Sequence, residues 1–149
     1  MPVRAGEREN RMKSEFGEYI NQLRKGRGPG GEDVLLRDLA EAMGGISLPY
    51  LSDILKGRRN PPEKNQLLAI SKALSMTREE EDRMMDLAGR ERQQTAPDLT
   101  DVIMDEDMPY VRVALRTAHR KGLGNAFWKQ IVDQMNAADE ENAEEDPEQ

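Results

Sequence analysis

The stretch ISLPYLSDILKGRRNPP, Ile46 to Pro62, decides how the chain is read. Ser47 has the hydroxyl of a helix N-cap, and Leu51, Ile54 and Leu55 recur at helical spacing to give a short apolar face. Gly57 follows where a left-handed residue ends a helix. Two arginines, Arg58 and Arg59, come next, then Asn60 and a double proline. Burying one side of so short a helix leaves the other side outward, with cations just past its end.

Upstream, Leu36, Leu39, Ala40 and Met43 repeat the spacing, with Asp33 as the expected N-cap and Gly44-Gly45 as the stop. Two short helices, Val34 to Met43 and Ser47 to Leu55, are then separated by a tight glycine turn, the anatomy of a helix-turn-helix. Further out, Phe16, Tyr19, Ile20 and Leu23 form one stripe of a helix from about Met12 to Lys25. The run GRGPGG forces a loop, read as flexible because no Gly-Lys-Ser/Thr follows to make it a phosphate cradle. Downstream, Asn60-Pro-Pro-Glu63 reads as a helix start with its prolines in the first turn, continued by Leu67, Ile70 and Leu74. Thr77 with Glu80 reads as a capping box, opening a helix with Met84, Leu87 and Ala88 inside. No segment alternates with period two, so the predicted class is all-α.

The bulk numbers set limits. At 149 residues, 36% hydrophobic and 34% charged, the chain has room for one small core plus an appendage. It has no cysteine, so neither a disulfide framework nor a thiolate metal site is available. No apolar run approaches the ~20 residues of a membrane span and the first residues lack a signal peptide's apolar stretch, so the expected setting is cytoplasmic, with no membrane partner. The net charge of −7 equals the seven acids of residues 139–149, a base-free segment expected to be disordered. Met1 to Gln66 holds twelve bases against ten acids, and only bases lie between Asp53 and Glu63. Overall acidity therefore weighs little against a nucleic-acid partner.

LRDLAEAMG followed by ISLPYLSDILKGRRNPP resembles the Xre-type (Cro/repressor-like) DNA-binding domains. The matching positions are Leu39-Ala40, Gly44, Ser47, Tyr50, Ser52, Ile54, Gly57, Arg58-Arg59 and Pro61. The resemblance covers roughly Phe16 to Leu74, with two departures: Gly45 is one extra residue in the turn, and the loop Gly26 to Asp33 is long. It implies a five-helix, lambda-repressor-like helix-turn-helix domain over 12–92 that binds double-stranded DNA, and a homodimeric repressor on a two-fold operator. A recognition helix presents its N-terminal part to the major groove, which makes Ser47, Leu48, Pro49, Ser52 and Asp53 the base-reading candidates. Arg24, Lys25, Tyr50, Lys56, Arg58 and Arg59 are the phosphate candidates. Arg, Asn and Gln are missing from the base-reading positions, so modest direct readout is expected, supplemented by pairing, water or DNA shape.

The second half carries less signal. QQTAPD reads as a linker, Pro109 opens a helix in which Val111, Ala114, Leu115 and Ala118 share a face, and Gly122 and Gly124 break it. Asn125 is the expected cap of a last helix striped by Trp128, Ile131, Val132 and Met135, with Trp128 as its core anchor. YVRVALRTA resembles the tails of a subset of Xre-type regulators. The expected organisation is a flexible arm at 1–11, the DNA-binding domain at 12–92, a C-terminal helical pair at 93–138 and the acidic tail at 139–149. The helical pair is expected to dimerise, or alternatively to bind a partner protein through 98–136, which would make the chain an adaptor or antitoxin. Catalysis has no motif behind it. His119 is the single histidine, Asp105-Glu106-Asp107 lacks the calcium-loop pattern, and Glu79 to Asp82 diverge around their helix. The expectation is a non-enzyme with no catalytic residue, cofactor or metal.

Overall fold

The structure, a computed structural model, describes residues 13–145, with side chains as far as Asp139. The arm expected at 1–11 and the last four residues of the acidic tail lie outside the described residues. Every regular element among the described residues is helical: α1 (Glu15–Arg24), α2 (Leu36–Ala42), α3 (Leu48–Leu55), α4 (Lys64–Ala73), α5 (Arg78–Arg92), α6 (Thr100–Ile103), α7 (Pro109–Arg120) and α8 (Asn125–Glu145). None of these helices is long and apolar enough to cross a membrane. They divide into two compact units, Met1–Thr100 and Asp101–Gln149.

In the first unit α1 packs on α3 and α5, α2 on α3 and α4, and α4 on α5. The stripes read from the sequence meet in one core, where Phe16, Ile20, Leu39, Leu51, Ile54, Leu67, Ile70, Leu74 and Met84 are essentially inaccessible. Truncating any of them to alanine costs about 2–5 kcal/mol, a large share of a small domain's stability. At the α1–α3 contact, a Cβ placed on Gly17 would stand 1.9 Å from the carbonyl oxygen of Leu55. Only a residue without a side chain lets α1 lie across the end of α3.

Helix ends follow the expected caps in part. The Ser47 hydroxyl accepts from the Tyr50 N–H at 3.2 Å, and Thr77 and Glu80 form the reciprocal capping box. Ser14 caps α1 at Glu15; Met12, the expected start, lies outside the described residues. The buried Ser14 hydroxyl accepts from the Gly17 N–H at 2.7 Å and donates at 2.8 Å to the carboxylate of Glu91 on α5. Asp33 does not cap α2; Leu35 holds that position with no side-chain bond, and Asp33 accepts from the Gly26 N–H at 3.0 Å. The prolines stand before α4, not inside it. A residue preceding proline is driven to extended backbone, so Asn60 and Pro61 stay out of the helix and Glu63 becomes an N-cap without a side-chain bond. Pro61 and Pro62 are buried, and Arg92 donates to the Pro61 carbonyl.

The glycine loop carries backbone hydrogen bonds of its own. Gly28 N–H donates to Glu32 O at 2.7 Å, Gly31 N–H to Gly28 O at 2.9 Å and Val34 N–H to Arg24 O at 2.9 Å. Arg27 leaves this loop to form a two-pronged pair with Glu80, at 2.8 and 2.6 Å. That guanidinium, helped by the Thr77 N–H, holds the Glu80 carboxyl down at about 2. The QQTAPD linker folds back as well: Gln93 turns in the left-handed region, Ala96 packs on the core, and Gly89 faces the backbone of Thr95 and Ala96. The first unit consequently extends past Arg92 to Thr100.

The second unit differs from its expected form. Pro109 does open α7, but of the face at Val111, Ala114, Leu115 and Ala118 only Ala118 is buried. Asn125 is the first helical residue of α8, and Gly124 supplies the carbonyl that accepts from Phe127 and Trp128. Trp128 is half-buried, edge-on to Phe127 with ring centroids 5.2 Å apart. The helix runs on to Glu145, so backbone expected to be disordered from Asp139 is helical there. Alanine and glutamate, which dominate that stretch, are strong helix formers.

Gly17→Ala is expected to lower the urea midpoint sharply. Overpacking of about 3 kcal/mol exceeds the roughly 1 kcal/mol that alanine gains in a helix interior. A second expectation concerns acid. Because the Glu80 carboxyl titrates at about 2 in the fold and at 4.5 ordinarily, its stabilisation is complete above that ordinary value and is lost as pH falls between the two. Glu80→Gln should lower stability at pH 7 and narrow the gap between urea midpoints at pH 7 and pH 3.

Candidate nucleic-acid interface

The inner side of α3 is fixed by burial of Leu51, Ile54 and Leu55, and its start is fixed by the Ser47 cap and Pro49 in the first turn. Ser47, Leu48, Pro49 and Tyr50 are consequently exposed, Leu48 by 47%. Ser52 and Asp53 are half-buried one turn further on, and Lys56 is exposed at the C-cap. The turn between α2 and α3 depends on two consecutive left-handed glycines, Gly44 at φ 98° and Gly45 at φ 78°. Their amides return to the Ala40 and Glu41 carbonyls and close α2. The additional glycine is thus taken up in the cap of α2.

Asp53 organises the cations. Its carbonyl accepts from the N–H groups of Arg58 and Arg59, at 2.9 and 3.3 Å. Its carboxylate lies 3.5 Å from Arg58 Nη1 and 3.9 Å from Arg59 Nε. Gly57, left-handed at φ 81°, turns the chain back to make this possible. The Arg59 guanidinium also lies over the Tyr50 ring, 4.9 Å from its centroid. Both arginines remain more than half exposed, so each ion pair is worth about 0–1 kcal/mol and each guanidinium is held in place without being used up. Asp53 is therefore a poor base-reading candidate, since its oxygens face the arginines.

Beside the arginines lies an open cleft of about 810 Å³ that runs to the start of α4. Arg58, Arg59, Lys64 and Arg92 supply four cations to its lining, against the single carboxylate of Glu63. Asn60, Asn65 and Gln66 add neutral polar groups. Lys64, Asn65 and Arg92 are absent from the candidates read off the sequence. Their signal was faint: each lies on a helix with an ordinary polar face, and only the turn of the chain at Gly57 brings them to Arg58.

Arg24 and Lys25 do not join this group. Arg24 spends its guanidinium on its own surroundings, donating to the Val34 carbonyl at 2.6 Å and to the Asn21 side chain at 3.0 and 3.2 Å. Lys25 is exposed at the end of α1, and neither residue lines the cleft. Among the described residues no cluster of His, Cys, Asp or Glu is arranged to hold a metal ion.

Comparison with protein-family models, with curated proteins and with solved structures finds no match to this chain.

If Asp53 restrains Arg58 and Arg59, Asp53→Ala should release both cations and remove one negative charge. The variant is expected to elute from heparin at distinctly higher salt than the parent, with a urea midpoint within about 0.5 kcal/mol of it in stability.

Proposed function

We propose that the chain is a sequence-specific double-stranded DNA-binding transcriptional regulator, acting as a homodimeric repressor on a two-fold operator. In this reading α2, the Gly44-Gly45 turn and α3 form the helix-turn-helix of an Xre-type, lambda-repressor-like domain, and α3 is the recognition helix. The observation that carries it is the pairing of an outward, capped α3 N-terminus with a cation-lined cleft at the other end of the same helix. A major groove takes a helix N-terminus first, while the flanking phosphates lie where the helix ends.

Residue roles follow from exposure. Leu48 packs on a thymine methyl and Ser47 and Ser52 reach base edges, which is weak direct readout because no bidentate side chain is present. Arg58, Arg59 and Lys56 neutralise phosphates, with Tyr50 beneath Arg59 and Arg92 continuing the path along the cleft. If each subunit neutralises about four phosphates, log affinity of the dimer falls with log salt at a slope of about −7.

A second reading, a protein-interaction adaptor or antitoxin that binds a partner through 98–136, is favoured by the exposed apolar face of α7 and α8. One experiment separates the two. Duplexes selected from a random pool are titrated by fluorescence anisotropy at several salt concentrations. Arg58→Ala with Arg59→Ala should weaken binding to all of them and flatten the salt slope by about 2 per subunit. Leu48→Ala or Ser52→Ala should instead change which duplex is preferred. Unchanged affinity in the double arginine variant rejects the DNA reading and leaves the adaptor.

A further inference from the structure

The second unit exposes what a folded domain hides. Ala118 alone is buried among its described residues, whereas Tyr110, Val113, Leu115, Val132 and Met135 are 41–80% exposed. α7 and α8 are joined by the short turn at 121–124. Between them lies an open apolar groove of about 400 Å³, lined by Tyr110, Val113, Thr117, Phe127, Trp128 and Ile131. A contiguous apolar surface of this kind on a soluble chain marks an interaction site.

Charge says what occupies it. α7 and its C-cap carry Arg112, Arg116, Arg120 and Lys121 and no acid, whereas residues 139–145 of α8 carry five acids and no base. Arg112 is committed to the carbonyls of Ile103 and Asp105. Arg116 and Arg120 have no ion-pair partner among the described residues. Arg120 and Lys121 sit at the turn, while Asp139 is 14 residues along α8, about 21 Å from its start at 1.5 Å per residue. The whole of α7, at 12 residues, spans only about 18 Å.

A second copy resolves both imbalances. Trp128, Ile131, Val132 and Met135 form one stripe of α8, at i, i+3, i+4 and i+7. An antiparallel register that sets Trp128 against Met135 of the other copy, and Ile131 against its Val132, is self-complementary under a two-fold axis. In that register Asp139 lies level with Gly124 of the other copy, so residues 139–145 run past its α7–α8 turn, which carries Arg120 and Lys121. We propose that the second unit is a self-association module in which α8 of each copy lies antiparallel across the α7–α8 groove of the other. The apolar stripe supplies the contact and the acidic tip, set against the basic turn, supplies the register. This proposal rests on the homodimer of the proposed function and not on its DNA binding.

Sedimentation equilibrium on the full chain, without DNA, is the test. The parent should have the mass of a dimer at micromolar concentration. Met135→Asp, at an exposed position, should raise the dimer Kd by about thirtyfold or more, with the urea midpoint of the first unit unchanged. A charge exchange then checks the register. Chains with Arg120→Glu and Lys121→Glu should be monomers, as should chains whose acids at 139–145 are replaced by lysine, and an equimolar mixture should form the heterodimer. A monomeric parent, a dimer indifferent to Met135→Asp, or a mixture that stays monomeric overturns the proposal. Arg58→Ala with Arg59→Ala should leave the dimer mass untouched, so failure of DNA binding and failure of self-association are read separately.

Discussion

The approach of α1 to the C-terminal end of α3 governs the candidate interface. With Gly17 set against the Leu55 carbonyl, α3 cannot slide or roll without opening the contact. Leu51, Ile54 and Leu55 fix its rotation, and Gly17 fixes its position along the axis. Everything useful about the outer side depends on this. Leu48 is exposed because the face opposite it is buried, and Arg58 and Arg59 leave the helix at a fixed point because the helix end is pinned. Protein interiors pack at the density of organic crystals, so a small displacement inside becomes a displacement of the exposed side chains.

The electrostatics obey a division of labour that the net charge conceals. Cations in the first unit fall into two kinds. Arg24 and Arg27 are tied by several bonds each to carbonyls and side-chain oxygens of their own domain, and they hold loops in place. Arg58 and Arg59 are held by the half-exposed Asp53, with Arg59 also over the Tyr50 ring, and keep most of their surface in water. A guanidinium of the first kind loses several hydrogen bonds if it is drawn to a phosphate. One of the second kind loses at most a weak, solvent-screened pair. That difference, more than residue type, sorts structural arginines from candidate ligands.

It also explains which parts of the molecule were legible in the sequence. Apolar spacing carried the helices, because a buried stripe at period 3.6 leaves few alternatives. The Ser47 cap and the Thr77–Glu80 box are local, complete within four residues, and were readable for that reason. Asp33 and Asn60 look the same in sequence but were wrong as caps: loop bonds to Gly26 claim the first, and the following prolines hold the second in extended backbone. Gly17 gave a signal that went unused, a glycine inside a helical stripe beside Phe16. The arginine pair was legible as exposed, but the sequence hid the binding of Asp53 to both arginines and the arrival of Arg92 beside them, since those facts depend on the turn at Gly57 and on α5 folding back. Arg24 was assigned to the candidate site because its commitment to Val34 is a tertiary bond.

The Ser14–Glu91 clasp has a consequence for how the molecule comes into being. It joins residues 77 positions apart, and Glu91 accepts from the Phe16 N–H as well. The first of the described helices is thus completed by a residue near the end of α5, the last long helix of its own unit. Until α5 emerges, Phe16 and Ile20 have no finished wall to pack on, and the nascent chain must carry them uncovered. Long-range closure of this kind slows assembly relative to a bundle built only from neighbours. Translation speed across the α4–α5 segment then sets how long that apolar surface stays open to chaperones.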